Sequence, residues 1–148
     1  FEALSRGAAT VMLVDENRRT AQMLRETAAS LNAGSDCTIT CMSAVRFLRE
    51  PRPCWDIIFL DPPFDEDLLP AVLQRIRVER SLCPGGVVYF EMQRRATADF
   101  PGFALLRERT AGDTRFGLLE LQDAAASAEP DCCACEPPSP GPHPQPPR

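Results

Sequence analysis

The sequence predicts an α/β fold, a doubly wound and largely parallel sheet with an antiparallel hairpin at its C-terminal edge. Three observations predict it. Three short apolar runs, at residues 11–14, 57–60 and 87–90, lack the polar alternation of half-exposed strands and read as strands buried on both faces. Segments of helical periodicity alternate with these runs. Two late apolar segments, 103–106 and 116–121, flank a polar loop that contains Gly112, the pattern of a hairpin.

The elements follow in order. Val11-Met12-Leu13-Val14 is the first strand. Residues 17–31 place Ala21, Leu24, Ala28 and Leu31 at spacings of three and four, an amphipathic helix. Thr38-Ile39-Thr40-Cys41-Met42 alternates as a strand nearer a sheet edge does, and residues 43–50 can form a short helix with Ser43 as its N-cap. Ile57-Ile58-Phe59-Leu60 is the next strand. Leu69, Val72, Leu73 and Ile76 then form an apolar stripe, preceded by Asp65, Glu66 and Asp67 and closed by Arg75, Arg77 and Arg80, charges that complement a helix dipole. Pro70 is tolerated only in a first turn, so this helix is predicted to start near Leu68. Cys83-Pro84-Gly85-Gly86 turns the chain into Val87-Val88-Tyr89-Phe90.

Composition bounds the rest. The chain has 148 residues, with 16 basic residues against 21 acidic ones and a net charge of −5, enough for one domain. Every basic residue is Arg and the single histidine is His143, so histidine-based triads and histidine-ligated zinc are excluded from the body. No apolar run approaches the roughly 20 residues a membrane-spanning helix needs, and a soluble protein is expected. The chain opens at Phe1 without an export signal, and a cut end is expected there.

From Asp123 onward the composition shifts: eight of the 15 prolines and three of the seven cysteines lie in the last 26 residues. The predicted division is a globular body at 1–122 and a disordered Pro/Cys-rich tail at 123–148, because a run such as Pro137-Pro138-Ser139-Pro140 has no apolar surface to offset its ordering entropy. That tail has four acids against one Arg, so −3 of the −5 resides there and the body carries −2. Cys132, Cys133, Cys135 and His143 have no second spaced pair, and no metal centre is expected. Cys37 and Cys41 lie about 13 Å apart along one strand, too far for a disulfide, and reduced thiols are the expectation.

Each apolar run is followed at once by an acid, Asp15, Asp61 and Glu91, at the sheet edge where open α/β sheets bind ligands. A charged residue can simply end a strand. Asp15, after a strand and before a helix, occupies the place of the acid that takes hydrogen bonds from ribose hydroxyls.

Asp61-Pro62-Pro63-Phe64 is the sharper signal, against the alternative of a rigid exit turn. An exocyclic amine on a heteroaromatic ring is a poor nucleophile, because its lone pair is delocalised. A carboxylate oxygen of Asp61 and the Pro62 carbonyl can accept both amine hydrogens and aim that lone pair at an electrophile roughly 3–3.5 Å away. The prolines fix φ and hence the carbonyl's direction. Phe64 can stack on the base.

On these residues the sequence resembles S-adenosylmethionine-dependent N-methyltransferases, and more closely the bacterial small-subunit ribosomal RNA guanine-N2 methyltransferases of the RsmD family. Residues 2–8 resemble the end of that family's first helix, Leu13-Val14-Asp15 its second strand, and Ile58-Phe59-Leu60-Asp61-Pro62-Pro63-Phe64 its catalytic motif. The resemblance implies a Rossmann-like class I methyltransferase sheet in a cytoplasmic, monomeric enzyme. Its implied reaction is direct methyl transfer to the N2 amine of a guanine in 16S ribosomal RNA. It further implies S-adenosyl-L-methionine as cofactor, bound by Asp15, Ser43 and Ala44. Asp61, Pro62 and Phe64 would be catalytic, and Pro63 and Phe64 would bind substrate. Leu13-Val14 and Ala44-Val45 would pack around the purine or simply serve as core, and Glu91 would act at one remove.

The family's basic RNA-binding arm, first strand and glycine-rich loop have no counterpart in this sequence. The implied missing strand is the centre of the sheet, between those ending at Asp15 and Asp61. The chain is therefore expected to be the back portion of a longer reading frame, and unstable or inactive unaided. Arg94, Arg95, Arg107 and Arg109 are candidates for phosphate contacts, or ordinary solvated arginines. Two other readings compete: an adenine-N6 DNA methyltransferase, and a non-catalytic α/β remnant whose proline-rich tail recruits a partner.

Overall fold

A computed structural model describes residues 1–63, 68–97 and 99–122. The predicted tail, its Cys/His tract and Phe64 lie outside the described residues. After a one-turn helix α1 (Glu2–Ser5) the chain runs β1 (Val11–Asp15), α2 (Arg18–Ser30), a 3-10 turn (Gly34–Asp36), β2 (Cys37–Cys41), α3 (Ala44–Arg49), β3 (Trp55–Leu60) and α4 (Leu69–Val78). It ends with β4 (Leu82–Gln93), β5 (Phe103–Ala111) and β6 (Thr114–Leu121).

Local chemistry sets these boundaries. The Asn17 side chain accepts from the Arg19 and Thr20 amides at 2.8 and 3.3 Å and caps α2. Asn32, at φ 52°, ends that helix, and the Ala33 amide reaches back to the Ala28 carbonyl at 3.0 Å. Leu31, expected in the apolar stripe, falls just past the last turn and is exposed. In α4 all four predicted stripe residues, Leu69, Val72, Leu73 and Ile76, are buried, and Pro70 sits in the first turn, as its missing amide requires.

The strands form two sheets. In one, β1 and β2 pair in parallel, Asp15 opposite Cys41. The other has order β3-β4-β6-β5, parallel between β3 and β4 and antiparallel beyond. Among the described residues β1 pairs only with β2 and β3 only with β4, so each keeps one unbonded edge.

One core joins the two sheets. Phe47 and Leu48 of α3 and the α4 stripe pack on Leu82, Val88, Phe90, Met92, Phe103 and Leu119, and Met12 and Val14 of β1 join from the side. Phe90 is fully buried, roughly 1.5–3 kcal/mol of transfer free energy for such a side chain. Opposite it in register lies Gly117, where an added Cβ would meet the Phe90 ring at 2.8 Å and the Arg107 carbonyl oxygen nearer still. Glycine at this position leaves room for the ring against β6.

Several expectations are corrected. The apolar runs are not buried on both faces: β1 has no fully buried residue, and in β3 Ile57 and Phe59 are 53% and 63% exposed. In the four-stranded sheet the residues in register with them, Val87 and Tyr89, are only half-buried, because α3 and α4 pack on the opposite face. The Cys83-Pro84-Gly85-Gly86 turn is incorporated into β4, where pairing with β3 shifts register between Trp55 and Ile57. The polar loop of the hairpin is mostly strand: β5 continues through Arg107-Glu108-Arg109-Thr110, and only Gly112-Asp113 turns. Gly112, at φ 57°, supplies the left-handed conformation that a two-residue hairpin needs. Finally, Cys54 and Cys83 form a disulfide across the starts of β3 and β4, contrary to the expectation of reduced thiols, while Cys37 and Cys41 form no disulfide among the described residues.

Candidate active site at the strand ends

β3 ends where Asp61-Pro62-Pro63 begins, and β4 continues beside it. The last register pair is Leu60 with Phe90, so Asp61, the first residue past β3, comes level with Glu91, which is still within β4 and paired with Phe116 of β6. Period-two alternation puts both on the face that carries Phe59 and Tyr89. Tyr89 donates its hydroxyl hydrogen to Glu91 Oε1 at 2.7 Å. Its ring stands 5.7 Å from Phe59 and 6.2 Å from Phe116, centroid to centroid, so an aromatic row runs beneath the two carboxylates.

The electrostatics follow from this crowding. Loss of solvent around its carboxyl, and secondly repulsion from Glu91, hold Asp61 above the usual aspartate range. The Tyr89 phenol is pushed up to about 12, by burial first, then by its bond to Glu91 and the charges of Glu91 and Asp61. Tyr89 is therefore a permanent donor to Glu91 at working pH, and it fixes that carboxylate's orientation. Asp61 remains exposed, and a carboxylate with a raised pKa is a better proton acceptor than an unperturbed one.

The second group of predicted residues lies at the ends of β1 and β2. Asp15 Oδ1 accepts the Asn17 amide at 2.7 Å, which orients the carboxylate. Opposite Asp15 is Cys41, whose thiol reaches the Glu16 carbonyl at 3.6 Å and ties the two strand exits together. Two residues further, Ser43 is the N-cap of α3 as predicted, yet its hydroxyl makes no capping bond. Ala44 is exposed at the first position of that helix. Val14 and Val45 pack against the core, which supports their plain structural reading.

Glu91, expected at one remove, and Tyr89, to which the sequence assigns no partner, both stand beside Asp61. The available signal was the two-residue spacing of Tyr89 and Glu91, which in a strand means one face. Pro62 is half-buried and Pro63 exposed, consistent with a stiff exit from β3. Among the described residues Arg107 and Arg109 are exposed on the edge strand β5 and make no ion pair.

Helix-connected parallel strands, an antiparallel C-terminal pair and an Asp-Pro-Pro exit at a strand end together define a Rossmann-like methyltransferase fold. The family model described as "Conserved hypothetical protein 95" matches residues 1–120, and the chain belongs to that family. It is 29% identical over 124 residues to the ribosomal RNA small subunit methyltransferase D of Haemophilus influenzae, covering 81% of this chain and 64% of the relative. The Escherichia coli protein of the same name is also 29% identical over 124 residues, covering 82% and 62%. A solved Haemophilus influenzae structure described as a methylase superposes with a TM-score of 0.74 at 28% identity, covering 83% of this chain and 79% of that one. The chain thus spans somewhat under two thirds of the length of the curated relatives it matches.

Proposed function

We propose that this protein works as an S-adenosyl-L-methionine-dependent methyltransferase in the cytoplasm, acting as a monomer on the N2 amine of a guanine in 16S ribosomal RNA or the small ribosomal particle. The observation that carries the reading is the Asp61-Pro62-Pro63 corner at the end of β3, set beside Glu91 of the parallel neighbour β4. The relatives' names supply the substrate class.

The residues at the ends of β1 and β2 fit the adenosine half of the cofactor. One Asp15 oxygen is committed to Asn17, which leaves the other for a ribose hydroxyl, and the uncommitted Ser43 hydroxyl and small Ala44 suit the edge of an adenine. When bound, the cofactor supplies an electrophilic methyl group. Asp61 and the Pro62 carbonyl accept the two amine hydrogens and direct the nitrogen lone pair, and Asp61 takes the proton the nitrogen loses. Phe64 stacks on the base and Pro63 keeps the exit loop stiff. The −2 charge of the body leaves little of the phosphate-neutralising footprint on these residues, so affinity for RNA must draw on other surfaces.

The test is transfer of tritiated methyl groups by the native protein, expressed from its own reading frame, to unmethylated small-subunit particles and, in parallel, to duplex DNA. Label in the ribosomal RNA, recovered as N2-methylguanosine, is the expected result. Label in DNA adenine, or none in either, would refute the proposal.

A further inference from the structure

Guanine differs from adenine, beside the reacting amine, in one atom's polarity. Next to its amine guanine presents N1–H, a donor, whereas adenine presents a bare N1 lone pair. An enzyme that grips only the amine cannot tell these apart, so the choice requires a second group that reads the neighbouring nitrogen.

We infer that Glu91 is that group: held by the Tyr89 hydroxyl at 2.7 Å, its carboxylate accepts the N1–H of guanine while Asp61 and Pro62 accept the amine hydrogens. The inference rests on the base-methyltransferase reading above and deepens it. Neighbouring parallel strands are about 4.8 Å apart, so side chains from Asp61 and Glu91 can both reach one base edge. Both residues are on the same sheet face. Guanine N1 and its exocyclic amine are neighbouring groups on that edge, both attached to C2, as the two carboxylates are neighbours on theirs.

The arrangement rejects as well as selects. An N1 lone pair brought against the Glu91 carboxylate would face a second acceptor with no hydrogen between them, an unpaired and repulsive contact. Tyr89 strengthens this by donating to Oε1, which fixes the orientation of the Glu91 carboxylate. Glu91 is thus a specificity residue that touches the base, and Tyr89 is its positioning residue.

2-Aminopurine keeps the C2 amine of guanine but has a lone pair at N1 and no oxygen at C6, so the N1 contact is read from how substitutions at Glu91 and Tyr89 change the preference between the two bases. The native protein is assayed for kcat/KM on short target RNAs carrying guanine or 2-aminopurine at the methylated position, alongside Glu91→Gln, Glu91→Ala and Tyr89→Phe. The wild type should prefer guanine by about 10²-fold or more. In Glu91→Gln the amide can turn to accept from guanine or donate to 2-aminopurine, so the ratio should fall below about 10 while methylation of guanine persists. Glu91→Ala should lose guanine activity more severely than Glu91→Gln. Tyr89→Phe, which preserves the ring packing, should lower the ratio to an intermediate value.

2-Aminopurine fluorescence gives a second readout that needs no turnover: quenching on binding should be stronger with Glu91→Gln than with wild type. An unchanged guanine to 2-aminopurine ratio in both Glu91→Gln and Tyr89→Phe would overturn the inference while leaving the methyltransferase reading intact. Absence of methyl transfer to guanine by the wild type would instead overturn that reading and the inference with it.

Discussion

Replacing Gly117 by alanine tests the packing that holds β4, and with it Glu91, in place. The new Cβ would stand 2.8 Å from Phe90 Cε1 and 3.1 Å from Cζ, where ordinary contact begins near 3.4 Å. Relief requires the Phe90 ring to withdraw by about 0.6 Å. The ring has nowhere to go: it is fully buried, and the Phe100 ring lies 4.8 Å away. On the other side the obstacle is the Arg107 carbonyl, main chain of β5 beside β6, which cannot swing aside as a side chain does. Overpacking of this kind costs about 1–3 kcal/mol. For a domain of this size that is roughly 4–12 °C in melting temperature. Urea unfolding followed by circular dichroism should show a lower midpoint with an unchanged slope. Phe90→Leu should itself destabilise, but the double variant should be less damaged than the sum by about 0.5–1 kcal/mol, because the shorter side chain vacates part of the contested space. A Gly117→Ala unfolding free energy within about 0.3 kcal/mol of wild type would show that the ring is not pressed against β6 and would refute the reasoning.

The disulfide between Cys54 and Cys83 closes a loop of 29 residues, for which chain entropy gives about 3–4 kcal/mol; reduction or the paired Cys→Ser variant should lower the melting temperature accordingly. Methyl transfer at temperatures where the protein stays folded should be unaffected, since that bond joins the starts of β3 and β4 and the site lies at their ends; a selective loss of turnover in folded protein would contradict this. Asp61→Asn should unfold at a higher temperature than wild type at pH 7. The native carboxyl holds its proton above the ordinary 3.8, so wild-type stability falls as pH rises through the interval between that value and the native pKa and stays lower at neutrality. The advantage of Asn should vanish near pH 3, and equal thermal melts of the two proteins at pH 7 would argue against a raised Asp61. Asn17→Ala removes two cap bonds from α2 and should cost about 1 kcal/mol in chemical denaturation; no loss would mean the cap is not made in solution.

Where local chemistry and hydrophobic period agreed, the sequence was a good guide. The α4 stripe and its start near Leu68, the Ser43 position ahead of α3, and the Asp-Pro-Pro exit from β3 all stand where spacing placed them. The errors share a physical origin, since an apolar run reports that a strand suits burial but not which neighbours cover it. Ile57 and Phe59 look like core in the sequence and lie open in the structure, because helices α3 and α4 occupy the other face. Arg107-Glu108-Arg109-Thr110 looks like a loop because an edge strand can afford polar residues on both faces, and only the Gly112-Asp113 turn carries local chemistry that could have marked its end. The Cys54 to Cys83 bond depends on two strand starts meeting in space, which spacing along the chain cannot reveal. Glu91 was legible as an acid after an apolar run, but not as a residue inside its strand, since β4 continues to Gln93, and its standing beside Asp61 depends on the β3–β4 register.

The most direct measurement is the single-turnover rate of methyl transfer to a guanine-containing target RNA by the native protein and by Asp61→Ala, with cofactor affinity measured on both by calorimetry. If Asp61 localises the amine lone pair and receives its proton, the rate constant should drop by about 10²-fold or more while the cofactor dissociation constant stays within a factor of about three. A variant that transfers methyl groups at close to the wild-type rate would contradict the account.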